Sequence, residues 1–288
     1  MSATRQLREL MAKPGLAMGG GAHDALSARI VEQVGYPLCV VTGAGVSMCR
    51  GYADIGLVTM PEMVENARYV AEAVKIPVIV DADNGYGNAL NVMRTVREFE
   101  RAGVAGIHIE DQDWPKRCGH MFGKRVIPKP EMVGKIKAAL DARHDQDFVV
   151  IARCDALMVN GIEDTLERGE AYLEAGADMI FFEMRESMDE INAMADRFRG
   201  RVPLHFNHSP SGMVPRLHVS EIEKLGFKTA CFYVHALMAA CKTMREVLTE
   251  IRRSGNSLST WDRMVSFEEF WKIADLDGIR AQEKKYAS

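Results

Sequence analysis

The stretch Glu98 to Asp111 reads EFERAGVAGIHIED, and it holds one complete structural phrase. An amphipathic run ends at Ala102, Gly103 closes it, Gly106 to Ile109 form a short apolar run, and Glu110-Asp111 come directly after. Glycine at a helix end takes the left-handed cap conformation that other residues resist. The phrase therefore reads as helix, cap, strand and a pair of carboxylates. The same approach to a strand recurs at Val34-Gly35, Ala175-Gly176 and Leu225-Gly226.

Short apolar runs that alternate with amphipathic stretches mark parallel strands joined by helices. The runs fall at Leu16 to Met18, Leu38 to Val41, Val78 to Val80, Gly106 to Ile109, Phe148 to Ala152, Met179 to Phe182, Leu204 to Phe206 and Ala230 to Val234. The helix Pro61 to Val74 places Val64, Ala67, Ala71 and Val74 on one face, with Pro61 at a permitted first-turn position. Eight βα units in 288 residues predict a closed (β/α)8 barrel of the TIM type, with a doubly wound open sheet as the alternative. One domain, 1–288, then covers the chain, with a C-terminal helical extension from about 255. In that extension Phe267, Phe270, Trp271 and Ala274 recur at helical spacing, a face that by spacing alone reads as packing on its own barrel.

The composition, 47% hydrophobic and 26% charged, excludes a disordered chain. A net charge of -4 excludes the basic surplus that nucleic acid or an acidic membrane would call for. Met1 to Lys13 is polar without an apolar signal core, and no stretch is apolar enough to span a bilayer. The six cysteines, at 39, 49, 118, 154, 231 and 241, show no C-x-x-C pair, as expected of a reduced compartment. These features predict a cytoplasmic protein with a small-molecule ligand.

In a barrel the active site lies at the carboxyl ends of the strands. The residues just past the apolar runs are mostly charged or polar: Thr42-Gly43-Ala44-Gly45, Asp81-Ala82-Asp83, Glu110-Asp111, Arg153 with Asp155, Glu183, and Asn207. Carboxylates crowded at one mouth repel unless a divalent cation neutralises them. Mg²⁺ takes a few carboxylate oxygens and several waters, which suits Asp83 as a direct ligand with Asp81, Glu110 and Asp54 acting through water; Mn²⁺ is a possible substitute. Arg153 is placed to grip a substrate carboxylate or, equally, to pair with Glu183 or Asp155.

Cys118 lies in the loop Pro115-Lys116-Arg117-Cys118-Gly119-His120, among Lys116, Arg117, Lys124 and Arg125. Positive neighbours stabilise a thiolate, so Cys118 is expected to give or take a proton near neutral pH, with His120 bonding it or the substrate. Gly119 and Gly123 suit this loop to act as a lid. His235, at the end of the eighth run, either faces the mouth or starts a helix, and one of His205 and His208 is expected to point inward.

These residues resemble the isocitrate lyase and phosphoenolpyruvate mutase superfamily over nearly the whole chain. The likeness lies in Asp24 to Ala28, Asp81 to Asn88, Ile109-Glu110-Asp111-Gln112, and Lys116 to His120 with Gly123-Lys124. The cysteine loop is similar to that of 2-methylisocitrate lyase, 2,3-dimethylmalate lyase and carboxyphosphonoenolpyruvate phosphonomutase. The resemblance implies a Mg²⁺-dependent carbon-carbon lyase that cleaves a substituted malate or related 2-hydroxy acid to pyruvate and a carboxylate. It also implies a homotetramer that exchanges the last barrel helix, so the C-terminal face docks on a neighbouring subunit. By the same likeness Thr42, Gly43 and Ala44 would cradle a carboxylate. Asp54, Asp81, Asp83 and Glu110 would form the metal shell; Arg153, Glu183, Asn207 and Gly119 would meet substrate; and Cys118 would protonate the carbanion.

The chain departs from the lyase pattern where Asn207-His208-Ser209-Pro210 replaces an Asn-x-x-Glu segment, and at Cys154, Met184 and His235. A histidine after the eighth strand resembles instead the oxaloacetate decarboxylase branch. Decarboxylation and phosphonomutase chemistry are thus alternatives, and a barrel that binds a dicarboxylate without catalysis is the reading from another class.

Overall fold

The computed structural model describes residues 1–287. Eight parallel strands close into a barrel in chain order: β1 (Ala17–Ala22), β2 (Leu38–Val41), β3 (Val78–Asp81), β4 (Gly106–Glu110), β5 (Val149–Cys154), β6 (Met179–Phe182), β7 (Leu204–Asn207) and β8 (Thr229–Phe232). β1 pairs with both β2 and β8, which closes the sheet and excludes the open-sheet alternative.

Side chains alternate between the two faces of a strand, and the barrel sorts them accordingly. Leu38, Val40, Ile79, Val149, Ile151, Met179, Phe181 and Cys231 fill the interior as one apolar cluster, joined by Leu7 from the N-terminal helix Ala3–Ala12. Residues of opposite parity, such as Cys39, Val80, Ile107, Val150, Ile180 and Phe206, form a larger cluster with the surrounding helices. The helix Met60–Ala73 starts with a Thr59–Glu62 capping box and buries Met63, Ala67 and Val70, so its packing stripe includes Ala67 as the spacing predicts but is otherwise shifted.

Two strand boundaries differ from the sequence reading. β1 runs on through Gly19-Gly20-Gly21, because the barrel wall there has no room for side chains. A Cβ on Gly19 would stand 2.3 Å from Cys231 Sγ, and one on Gly21 would stand 1.9 Å from the Tyr233 carbonyl oxygen. β8 stops at Phe232, and His235 is the first residue of the helix His235–Ser254.

The chain divides into two compact units, Met1–His235 and Ala236–Ser288. The second therefore begins one long helix earlier than the extension expected from about 255. It comprises that helix, a 3-10 turn Leu258–Arg263, and the helices Phe267–Ile273 and Leu276–Tyr286. Phe267, Phe270 and Trp271 are all exposed.

Candidate active site

The parity of each strand decides which of the residues at the barrel mouth can meet. Thr42, Asp81, Glu110, Arg153, Glu183 and Asn207 share the inward parity and are all buried. The β4–β5 register sets Glu110 beside Arg153. Asp111, one residue from Glu110, has the opposite parity. It accepts from Tyr172 Oη at 2.6 Å and from Arg168 at 3.1 Å, a structural anchor.

The Arg153 guanidinium is shared among three carboxylates: Nε lies 2.9 Å from Asp155 Oδ2 and 3.4 Å from Glu110 Oε2, and Nη2 lies 3.0 Å from Glu183 Oε2. Burial disfavours its charge, but Asp155, Glu110 and Glu183 outweigh that and hold it fully protonated. Both sequence alternatives for its structural partner are thus realised at once. Its face stacks on Phe181, 4.9 Å from the ring centroid. Asn207 donates to Glu183 Oε1 at 3.4 Å.

On the opposite side stand the acids of β3 and the loop before it. Asp83 adopts a left-handed backbone, φ +48, and its N–H bonds Asp81 Oδ1 at 3.0 Å. A non-glycine residue in that conformation stores strain, a common property of functional loops. Thr42 caps the helix Gly43–Cys49, and the Gly43 N–H points at Asp81 Oδ2, 3.3 Å away. A Cβ at Gly43 would lie 2.8 Å from that oxygen, so glycine is required there by contact.

Lys116 enters this acidic group from the cysteine loop, pairing with Asp54 and, at 2.7 Å, with Asp83 Oδ1. Burial works against its charge, and the Asp83 and Asp54 carboxylates more than restore it. One ammonium does not balance the cluster. Burial, with Asp81 and Asp54 adding repulsion, pushes Asp83 up to about 7, burial pushes Glu110 well above the usual range, and Glu110 Oε1 is buried without a hydrogen-bond partner. A divalent cation fits that deficit. Among the described residues no three His, Cys, Asp or Glu side chains are arranged to hold a metal by themselves, so the donor set suits an ion that keeps much of its water.

Over the group lies the loop from Asp113 to Val126, its base closed by a bridge between Gln112 and Val126. The Cys118 N–H donates to the Asp54 carbonyl at 3.0 Å, Gln112 bonds both the N–H and the C=O of Arg117, and Lys124 reaches Asp155. Gly119 rests directly on the ion pair, since a Cβ there would meet Glu183 Cδ at 2.5 Å and Arg153 Nη2 at 2.6 Å. Cys118 Sγ is 3.9 Å from His120 Nδ1, and His120 Nε2 is 3.5 Å from Glu183 Oε1.

The expected thiolate is not what this setting favours. Burial first, and the Asp54 charge second, push the Cys118 thiol up to about 12. The basic neighbours that suggested a thiolate are engaged elsewhere: Lys116 with the acids, Lys124 with Asp155, and Arg117 with the Phe122 carbonyl.

The histidines separate. His205 points inward, bonded on one side to Thr229 and on the other to Tyr233, both at 2.8 Å. His208 takes outward parity and bonds the Leu217 carbonyl. His235 packs against His208 and Phe232, with ring centroids 5.7 and 5.3 Å away. Among the described residues it makes no hydrogen bond or ion pair to the acid group, so it is the helix-initiating histidine of the two sequence alternatives. Lys116 and Lys124, read from the sequence only as positive neighbours, prove integral to the arrangement, and Asp155, two residues past Arg153, falls on the same face as that arginine.

The phosphoenolpyruvate phosphomutase family matches residues 7–252. Over its whole length the chain is 42% identical to 2,3-dimethylmalate lyase of Eubacterium barkeri, covering 99% of it. It is 39% identical to 2-methylisocitrate lyase of Aeropyrum pernix, over 98% of this chain and 89% of that one. Among solved structures, a 2,3-dimethylmalate lyase superposes with a TM-score of 0.94 at 33% identity, over 100% of this chain and 96% of that one. A phosphonopyruvate hydrolase in complex with oxalate and Mg²⁺ gives 0.91 at 34% identity, over 99% of each. With the match spanning barrel and cysteine loop alike, the chain belongs to the PEP mutase/isocitrate lyase superfamily.

Proposed function

We propose that this carbon-carbon lyase cleaves a 2-hydroxy acid of the 2,3-dimethylmalate or 2-methylisocitrate type, releasing pyruvate and a second carboxylate. The observation that carries the reading is a cysteine kept as a thiol, in a loop laid over an arginine that can meet a carboxylate. Cleavage between the carbinol carbon and its neighbour leaves an electron pair on the departing carbon, and that carbon needs a proton. A thiol pushed up to about 12 is loaded for that task at neutral pH.

In this reading Thr42, Gly43 and Ala44 take one substrate carboxylate through backbone N–H groups and the hydroxyl, while Arg153, Glu183 and Asn207 orient the remainder. Gly119 lets the loop approach without a side chain in the way, and His120 fixes the loop against Glu183. Asp83 would bind Mg²⁺ or Mn²⁺ directly, with Asp54, Asp81 and Glu110 around it. When bound, the ion would neutralise the acids and favour negative charge on the substrate's 2-oxygen. Loop contacts to Asp54 and Asp155 exclude water from the carbon to be protonated.

The domain reading is one barrel carrying the whole site, with the segment from Ala236 onward serving assembly. Its exposed Phe267, Phe270 and Trp271 support docking on another copy, in a homotetramer that exchanges helices. A cytoplasmic enzyme without nucleic acid or membrane partners completes the proposal; no helix among the described residues is long and apolar enough to cross a membrane. The packing of His235 on His208 and Phe232 removes the feature that favoured decarboxylation.

Proton NMR of the enzyme with Mg²⁺ and 2,3-dimethylmalate, 2-methylisocitrate or oxaloacetate tests the proposal. Pyruvate with propionate, or pyruvate with succinate, supports it. Pyruvate from oxaloacetate alone overturns it.

A further inference from the structure

Lys124 stands six residues beyond Cys118, and its side chain is only 1% exposed. Its ammonium lies 2.8 Å from the Gly119 carbonyl and 2.8 Å from Asp155 Oδ1. The first partner belongs to the peptide that joins Gly119 to His120, next to Cys118. The second is the carboxylate that receives Arg153 through Nε at 2.9 Å and Nη2 at 3.2 Å. Asp155 is itself fixed from behind, its N–H bonded to Asp111 Oδ1 at 2.8 Å, where Asp111 also holds Tyr172 and Arg168. One ammonium thus joins the loop backbone beside the thiol to the rigid carboxylate that sets the guanidinium.

A buried ammonium is stable only while paired. If the loop lifts, Gly119 leaves and Lys124 loses a partner, while Asp155 keeps Arg153. The interaction belongs to the closed loop rather than to the barrel, which is closed by its own strands and cores without it.

We infer that Lys124 is a positioning residue that fixes the Cys118 thiol in register with Arg153 through Gly119 and Asp155. It touches neither substrate nor reacting atoms. Misplacing a proton donor by about 1 Å costs on the order of 100-fold in rate even when binding survives, so its loss is read in kcat more than in KM. The inference rests on the reading of Cys118 as proton donor, but the loop's own state can be measured without turnover.

The test compares wild type with Lys124→Met and Lys124→Arg, following alkylation of Cys118 by iodoacetamide with mass spectrometry of the Cys118 peptide, at one pH and without substrate. Lys124→Met is expected to alkylate at least tenfold faster, with kcat down tenfold or more, KM changed less than threefold, and the thermal midpoint within a few degrees. Lys124→Arg, which keeps the charge but not the compact ammonium, is expected to fall between. A wild-type alkylation rate in Lys124→Met overturns the inference whatever happens to activity. If Lys124→Met does not fold, Lys124→Arg decides: at least threefold faster alkylation supports the latch, and an unchanged rate overturns it. Faster alkylation together with an active Cys118→Ala enzyme would instead keep the latch and remove the catalytic role of the cysteine.

Discussion

The Lys116 ammonium lies 2.7 Å from Asp83 Oδ1, so a residue of the cysteine loop reaches into the acid group at the barrel mouth. Loop position and the charge balance of that group are therefore one problem. The balance is incomplete, as the rise of Asp83 to about 7 under burial and neighbouring carboxylates shows.

A bound divalent cation should then stabilise the fold. Ligand at 100 times its dissociation constant adds about 2.7 kcal/mol, or roughly 5 to 10 °C in midpoint for a domain of this size. Calorimetry with Mg²⁺ against EDTA should show that rise in wild type and not in Asp83→Ala. A wild-type midpoint indifferent to Mg²⁺, or an Asp83→Ala variant that keeps the shift, would refute the metal assignment.

The Cys118 thiol titrates late because burial and Asp54 oppose the thiolate. Its alkylation rate should keep climbing above pH 10, where an ordinary thiol with pKa about 8.5 has levelled off. A plateau near pH 8 would mean the loop does not bury the sulfur in solution.

Replacing Arg153 with Met leaves Asp155, Glu110 and Glu183 around an uncharged side chain. Breaking a buried ion pair from one side costs about 3 to 5 kcal/mol, so urea unfolding of Arg153→Met should show a loss of that size. Arg153→Lys should retain more stability yet still lose at least tenfold in kcat/KM, because an ammonium cannot reproduce the fork that spans Asp155 and Glu183. Unfolding midpoints equal to wild type in Arg153→Met would contradict the geometry of this ion-pair group.

His205 supplies a pH signature away from the acids. Burial, reinforced by the neighbouring His108 and Arg153, lowers its pKa to about 3, against about 6.5 in an unfolded chain. The unfolded state thus binds a proton that the folded state refuses. Stability from this group is complete above pH 6.5 and declines as pH falls toward 3, by about 1.4 kcal/mol per unit. Unfolding of wild type and His205→Gln between pH 7 and 4.5 should differ in slope by about that amount, and parallel curves would rule the contribution out.

The barrel was legible because its signals are local: a glycine cap, an apolar run and a charge after it. The triglycine in β1 was harder to read, since the reason for it is a tertiary contact, the closeness of Cys231 and Tyr233. The inward acids and Arg153 were legible from strand ends, and period-2 parity separates Glu110 from Asp111. What sequence could not supply was where the loop cations go. Lys116, Arg117 and Lys124 looked like one electropositive neighbourhood for Cys118. Folding sends each to a different oxygen, and the thiol is left with burial as its dominant influence.

The central claim, that Cys118 delivers the proton to the carbon released by cleavage, is tested most directly in D₂O. With 2,3-dimethylmalate or 2-methylisocitrate as substrate, NMR should find a single deuterium of one configuration at the new C–H of propionate or succinate. Cys118→Ala should lose about 100-fold or more in turnover, within the range for removing a positioned acid, with KM nearly unchanged. Cys118→Ala turning over at the wild-type rate, with the same stereospecific deuterium, would contradict the account.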